Sequence, residues 1–246
     1  MQRFIGVLAL GVFCAAAHAE QAWIAKSNVF TNTLLDIQLQ HAPEGGSRQG
    51  VVKFDPLISN PTLADELQTR HEMEAALAKI RAARATEADK KVQEDLDILV
   101  KSFDLSFRTE DFELQHEVPF DNASESVFQG LRGLLDDQVA AQRRPAAVVR
   151  LRKYAGVEPG FKPYVDILKQ RALEQMAKPG VIYPAKDRIE TELGRNSNYI
   201  DGIASLFKKY HLSGWEPAYA KLELQLQDYD AWVKSTLLPK ARTDFR

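Results

Sequence analysis

Large apolar residues recur at steps of three and four along most of the chain, the spacing that stacks side chains on one face of an α-helix. Trp23, Phe30, Leu34 and Ile37 set this rhythm over residues 22–40. Residues 62–84 are rich in the strong helix formers Ala, Leu, Glu, Lys and Arg. Thr62 stands where a cap is needed, with Asp65 and Glu66 in the first turn. Over 86–114, Val92, Leu96, Leu99 and Phe103 make a stripe, and Glu87–Lys91 and Asp97–Lys101 are i,i+4 pairs in the favourable order. Val127, Leu131, Leu134, Leu135 and Val139 continue the pattern over 124–141. A helix is predicted at 145–154, with proline in its first turn and Gly156 just past its end. Others are predicted at 163–177, 185–193 and 198–210, and a long last one at 216–238 with Leu222, Leu226, Tyr229 and Val233 on one face.

Strand signals are weak. Residues 50–54 read as a short extended piece, and 181–183, between prolines, are too few for a sheet core. Residues 41–61 contain Gly45, Gly46 and Gly50 and read as the first long loop. Neither a fixed-period repeat nor a low-complexity linker is present. The expected fold is all-α, a multi-helix array of antiparallel helices with short loops, continuous over residues 20–246.

A targeting segment is expected ahead of that array. Met1-Gln2-Arg3 is short and positive, residues 4–17 are apolar, and Ala17-His18-Ala19 is a small-x-small site. This is the layout of a secretory signal peptide over 1–19, cut between Ala19 and Glu20. The apolar run is shorter than the ~20 residues that a membrane-crossing helix needs. Phe13 precedes Cys14 where a lipoprotein signal requires a small residue, so Cys14 reads as an ordinary part of the apolar run. The expected location is periplasmic or secreted, with no membrane association after signal removal. N-terminal sequencing of the exported protein checks this. A chain starting at Met1, or an acylated Cys14, would overturn it.

Composition narrows the chemistry. A 246-residue chain that is 45% hydrophobic and 27% charged is neither disordered nor collagen-like. A net charge of −2 gives no electrostatic footprint for nucleic acid. Cys14 is the only cysteine, so the mature chain offers no thiol nucleophile and no thiolate metal ligand.

The remaining histidines after signal removal, His41, His71, His116 and His211, form no metal-binding spacing. A helical zinc-peptidase site needs histidines at i and i+4. His71-Glu72-Met73-Glu74 begins that motif but Ala75 stands in the second position, and Phe120 does so after His116. Gly45-Gly46-Ser47-Arg48-Gln49-Gly50 lacks the Gly-Lys-Ser/Thr ending of a phosphate loop. No Gly-x-Ser-x-Gly elbow raises a serine. Asp136 and Asp137 are adjacent, so on a helix they point about 100° apart. Asn122-Ala123-Ser124 matches a glycosylation sequon by pattern only. The basic cluster Arg143, Arg144, Arg150, Arg152 and Lys153 has two readings. Arg143, Arg144 and Arg150 hold a ligand carboxylate or phosphate, or the cluster pairs with Asp136, Asp137 and nearby glutamates. No catalytic, cofactor or metal residue is assigned.

Several stretches resemble the bacterial DUF885 family. They are Trp23–Ser27, Pro43–Gly50, Val127–Val139 running on to Arg143–Gly156, Tyr229–Val233 and Leu238–Arg246. The resemblance implies relatives more than twice this length, with a His-Glu-x-x-x-Gly-His-type helix in a further half bearing a probable zinc-peptidase site. No position here matches that motif, so no catalytic residue carries over. The expectation is the N-terminal helical part of a secreted zinc-metallopeptidase-like protein, truncated and inactive alone, whose full-length relatives take zinc and peptide substrates. The alternative is a self-standing periplasmic helical binding or interaction protein. Truncation would leave the apolar face of the last helix, Leu222, Leu226, Tyr229, Trp232, Val233 and Leu237, in water and promote self-association.

Overall fold

A computed structural model describes residues 6–244, with side chains from Ala22 onward. The expected signal peptide and its Ala19–Glu20 cut fall outside the residues whose side chains are described. The helices are α1 Gly6–His41, α2 Pro43–Arg48, α3 Leu63–Thr86, α4 Lys90–His116, α5 Ala123–Arg132, α6 Ala146–Tyr154, α7 Tyr164–Met176, α8 Lys186–Leu193, α9 Asn196–Lys209 and α10 Glu216–Trp232. The fold is all-α. Among the described residues the only β pairing is two isolated bridges, Glu117 with Ile182 and Ala185 with Arg242. No helix there is long and apolar enough to cross a membrane.

The chain divides into two compact units, Met1–Gln38 with Gln68–Thr109, and Leu39–Leu67 with Glu110–Arg246. The absence of a linker in the sequence has a simple cause, since the division falls inside α1, α3 and α4. In the first unit, Leu34, Met73, Leu77, Ile80, Val92 and Leu96 make the core. Arg84 pairs with Asp97 at 2.8 Å and Arg81 with Asp104, a falling register against a rising one, so these stretches of α3 and α4 run antiparallel.

The second unit is larger and carries the site. Its core runs from Val118 to Leu237 in sequence, and Leu222, Leu226, Val233 and Leu237 are all fully buried in it. Gly202 of α9 admits the Phe128 ring of α5, since a Cβ there would stand 2.8 Å from Phe128 Cε2. The covered face of α10 corrects the expectation that this surface is left in water. Its cover comes from α5, α6, α7 and α9 of the same chain.

Several local expectations hold. Thr62 Oγ1 accepts from the Asp65 amide at 3.1 Å, capping α3. Gly156 ends α6 at φ +62°, where its missing side chain leaves room for Pro163.

Others are corrected. The long loop over 41–61 contains α2 and a tight turn at Val52–Phe54 in place of the extended piece. Pro43 supplies a preset first-turn φ, and Gly46 lets the Phe54 ring close on the helix, its absent Cβ standing 2.4 Å from Phe54 Cδ2. The 124–141 helix stops at Arg132. Beyond Gly133 the Asp136 side chain accepts from the Gln138 amide at 3.0 Å, a turn that competes with the helix while Leu134 and Leu135 stay buried. The last helix changes at Trp232 into a wider π turn over Val233–Leu237, ahead of Pro239, which has no amide to donate.

Candidate functional site

The second unit holds a cleft of about 290 Å³ where α2, α5, α6 and the start of α7 meet. Its floor is a polar network. Pro43 starts α2 and puts Glu44 in its first turn. Glu44 Oε1 accepts from the Ser59 amide at 2.9 Å, the Ser59 hydroxyl at 3.3 Å and the Tyr154 hydroxyl at 2.7 Å. Tyr154 is the last residue of α6 and is 1% exposed. Its ring meets Tyr164, the first residue of α7, edge-on at 5.3 Å. Burial, and then the Glu44 carboxylate, push the Tyr154 hydroxyl well above its ordinary pKa. Burial raises Tyr164 as well. Both phenols therefore stay neutral donors at physiological pH.

Gly130 makes this arrangement possible. A Cβ at that position would stand 2.3 Å from the Tyr154 hydroxyl oxygen. Alanine in a helix interior ordinarily gains about 1 kcal/mol over glycine, but overpacking of this kind costs about 1–3 kcal/mol. We expect Gly130→Ala to destabilise the fold and to close the cleft. Adding Tyr154→Phe removes the clashing oxygen and should recover part of the loss. Chemical denaturation of the two single variants and the double variant reads this out, and simple additivity would refute it.

Of the basic cluster, Arg150 reaches the same network and Arg143 the segment beside it, while Arg144 and Arg152 are engaged elsewhere. Arg150, one turn before Tyr154, is fully buried; Nη1 donates to the Gly130 carbonyl and Nη2 to that of Phe54 at 3.0 Å. Burial lowers its pKa from the ordinary arginine value, opposed by the nearby Tyr154, Glu44 and Asp55. Arg143 forks onto Asp55 at 2.7 and 2.8 Å and onto the Ser47 carbonyl at 2.8 Å. The Ser47 hydroxyl donates to Asp55 at 2.8 Å. Arg144 donates to the carbonyls of Val139 and Asp136 at 2.9 and 3.3 Å and covers the Tyr210 ring. Arg152 pairs with Glu158 at 2.9 Å. Asp137 pairs instead with Lys209 at 2.9 Å and Tyr210 at 2.8 Å. The pairing partners expected from local sequence are thus replaced, for Arg143, by an aspartate on a distant segment.

The family whose description reads "Bacterial protein of unknown function (DUF885)" matches residues 43–246. The chain belongs to the DUF885 family. No curated protein and no solved structure matches it. Three of the DUF885-like stretches, Pro43–Gly50, Val127–Val139 and Arg143–Gly156, converge on the cleft, each contributing residues to its lining or its buried support.

Glu44, Ser59, Gly130, Tyr154 and Tyr164 were not singled out by sequence reasoning. The glycine-rich stretch around Gly45, expected as part of the first long loop, forms α2 and carries Glu44 and Arg48. The sequon asparagine, Asn122, is buried and caps α5 through the Glu125 amide at 3.1 Å. His41 meets Asp65 at 3.0 Å and His116 lies against the Phe112 ring. Among the described residues no three of His, Cys, Asp and Glu group to hold a metal.

Proposed function

We propose that this DUF885 chain is an exported helical binding protein that holds a small polar ligand in the cleft above Glu44 and Tyr154. The observation that carries this reading is the cleft itself. It is concave, built on packed helix ends, and has a few convergent polar groups fixed by buried hydrogen bonds, the usual makeup of a ligand site. The buried Leu222, Leu226, Val233 and Leu237 support a unit whose apolar face is covered within the chain. The signal-like residues at the start support a periplasmic or secreted location.

A second reading makes the chain the helical region of a secreted zinc-metallopeptidase-like protein, inactive alone, handling peptide. DUF885 membership over residues 43–246 favours it, through the peptidase site that the resemblance implies elsewhere in relatives.

Thermal-shift screening of the purified chain against a library of small polar compounds and short peptides, with and without zinc, tests both. Stabilising ligands whose effect is lost in Gly130→Ala, without cleavage of any peptide, would support the binding reading. Zinc-dependent peptide cleavage by this chain would overturn it, as would the absence of any cleft-dependent ligand.

A further inference from the structure

We propose that the cleft takes a small zwitterion, a molecule with a protonated amine at one end and a carboxylate at the other, on a skeleton of amino-acid to dipeptide size. This rests on the reading of the cleft as a binding site. Glu44 and Arg48 stand at i and i+4 on α2, acid first, the order that usually closes an ion pair along a helix. Here each is drawn aside. The Tyr154 and Ser59 donors hold Glu44 through Oε1. The Arg48 stem lies against Gly133, with Cγ 2.8 Å from where a Cβ on that glycine would be. Both side chains line the same opening, so opposite charges face it without neutralising each other. A ligand with opposite charges at its two ends matches that layout.

The hydrogen-bond inventory fits the same ligand. All three donors to Glu44 converge on Oε1, leaving Oε2 without a protein donor among the described residues. A carboxylate oxygen accepts only, so it calls for a donor, and a protonated amine supplies one with charge. Glu125 adds a second carboxylate to the lining. Arg48 makes no hydrogen bond or ion pair with any described residue, and its planar fork suits a carboxylate. Ser126 and Gln129 offer neutral polar groups between the charged ones. A volume of about 290 Å³ lies at the small end for ligand pockets. It limits the ligand to one or two residues' worth of atoms, whether free amino acid or dipeptide.

Calorimetric titration of the full chain with the set of protein α-amino acids and their alanyl dipeptides identifies which source binds. The tighter class is then repeated with the amine acetylated and, separately, with the carboxylate amidated. Each blocked end is expected to weaken binding by about tenfold or more. Arg48→Met, an exposed change, should cost a similar factor and abolish the amidation penalty, while Glu44→Gln should abolish the acetylation penalty. Equal binding of free and blocked forms, unchanged affinity in Arg48→Met, or no binding by any amino acid or dipeptide would overturn the proposal. If other library compounds still bind in a Gly130-dependent way, the binding-site reading survives and only the ligand class falls.

Discussion

Phe207→Ala is expected to destabilise the larger unit by about 3–5 kcal/mol, the range for emptying a large aromatic site in a closed core. Phe207 has no exposed surface and stacks on Trp215 at 5.3 Å with 20° between the ring planes. Trp215, just ahead of α10, is pinned by its indole N–H donating to the Leu212 carbonyl at 3.1 Å, so it cannot swing far into the space. Leu224→Ala on α10 is the control. Leu224 is 63% exposed, and its loss should shift stability by no more than about 0.5 kcal/mol. Urea unfolding followed by circular dichroism compares them. Similar small effects for both would mean that the core around α9 and α10 is loosely packed in solution, and would revive the expectation of an uncovered apolar face on α10. With that face buried, self-association through it is no longer called for by the packing.

What the sequence revealed follows from the range of the interactions involved. Local signals were legible. Period-3.6 stripes placed the long helices, Thr62 marked the start of α3, and Gly156 marked the end of α6. Short elements were not. α2 has six residues, fewer than two turns, so no apolar stripe can announce it, and its two glycines argue for a loop. It is held by tertiary contact with Phe54. The site depended on still longer connections. The Tyr154–Glu44 hydrogen bond spans 110 positions and the Arg143–Asp55 pair spans 88. No spacing rule reaches across such distances. A polar residue in an isolated sequence gives no sign of which distant donor it will meet. The clue that was present lay in the grouping of Pro43–Gly50, Val127–Val139 and Arg143–Gly156 as the stretches that resembled one family, since those segments are the ones that fold together.

The largest electrostatic effect is expected at Asp55. Its carboxylate is 2% exposed and takes two bonds from Arg143 and one from Ser47. Burial pushes its pKa up, but the hydrogen bonds from Arg143 and Ser47, aided by the charges of Arg143 and Arg150, together outweigh burial and hold it below the ordinary aspartate value. Removing one partner of a buried pair costs about 3–5 kcal/mol because the other charge is left without compensation. Arg143 keeps the Ser47 carbonyl and some solvent, so Asp55→Ala should fall near the lower end, about 3 kcal/mol. The pH dependence has a definite sign. A carboxylate with a depressed folded pKa contributes stability above its unfolded pKa and loses it as pH falls through the folded value. The wild-type advantage over Asp55→Ala should therefore be complete at neutral pH and shrink below about pH 4. Arg143→Met should reproduce much of the neutral-pH loss, and the double variant should lose less than the sum of the two. Denaturation series for the four proteins at neutral and acid pH decide the matter. A wild-type advantage that persists unchanged at low pH would mean that Asp55 acts through packing, with its charge contributing little.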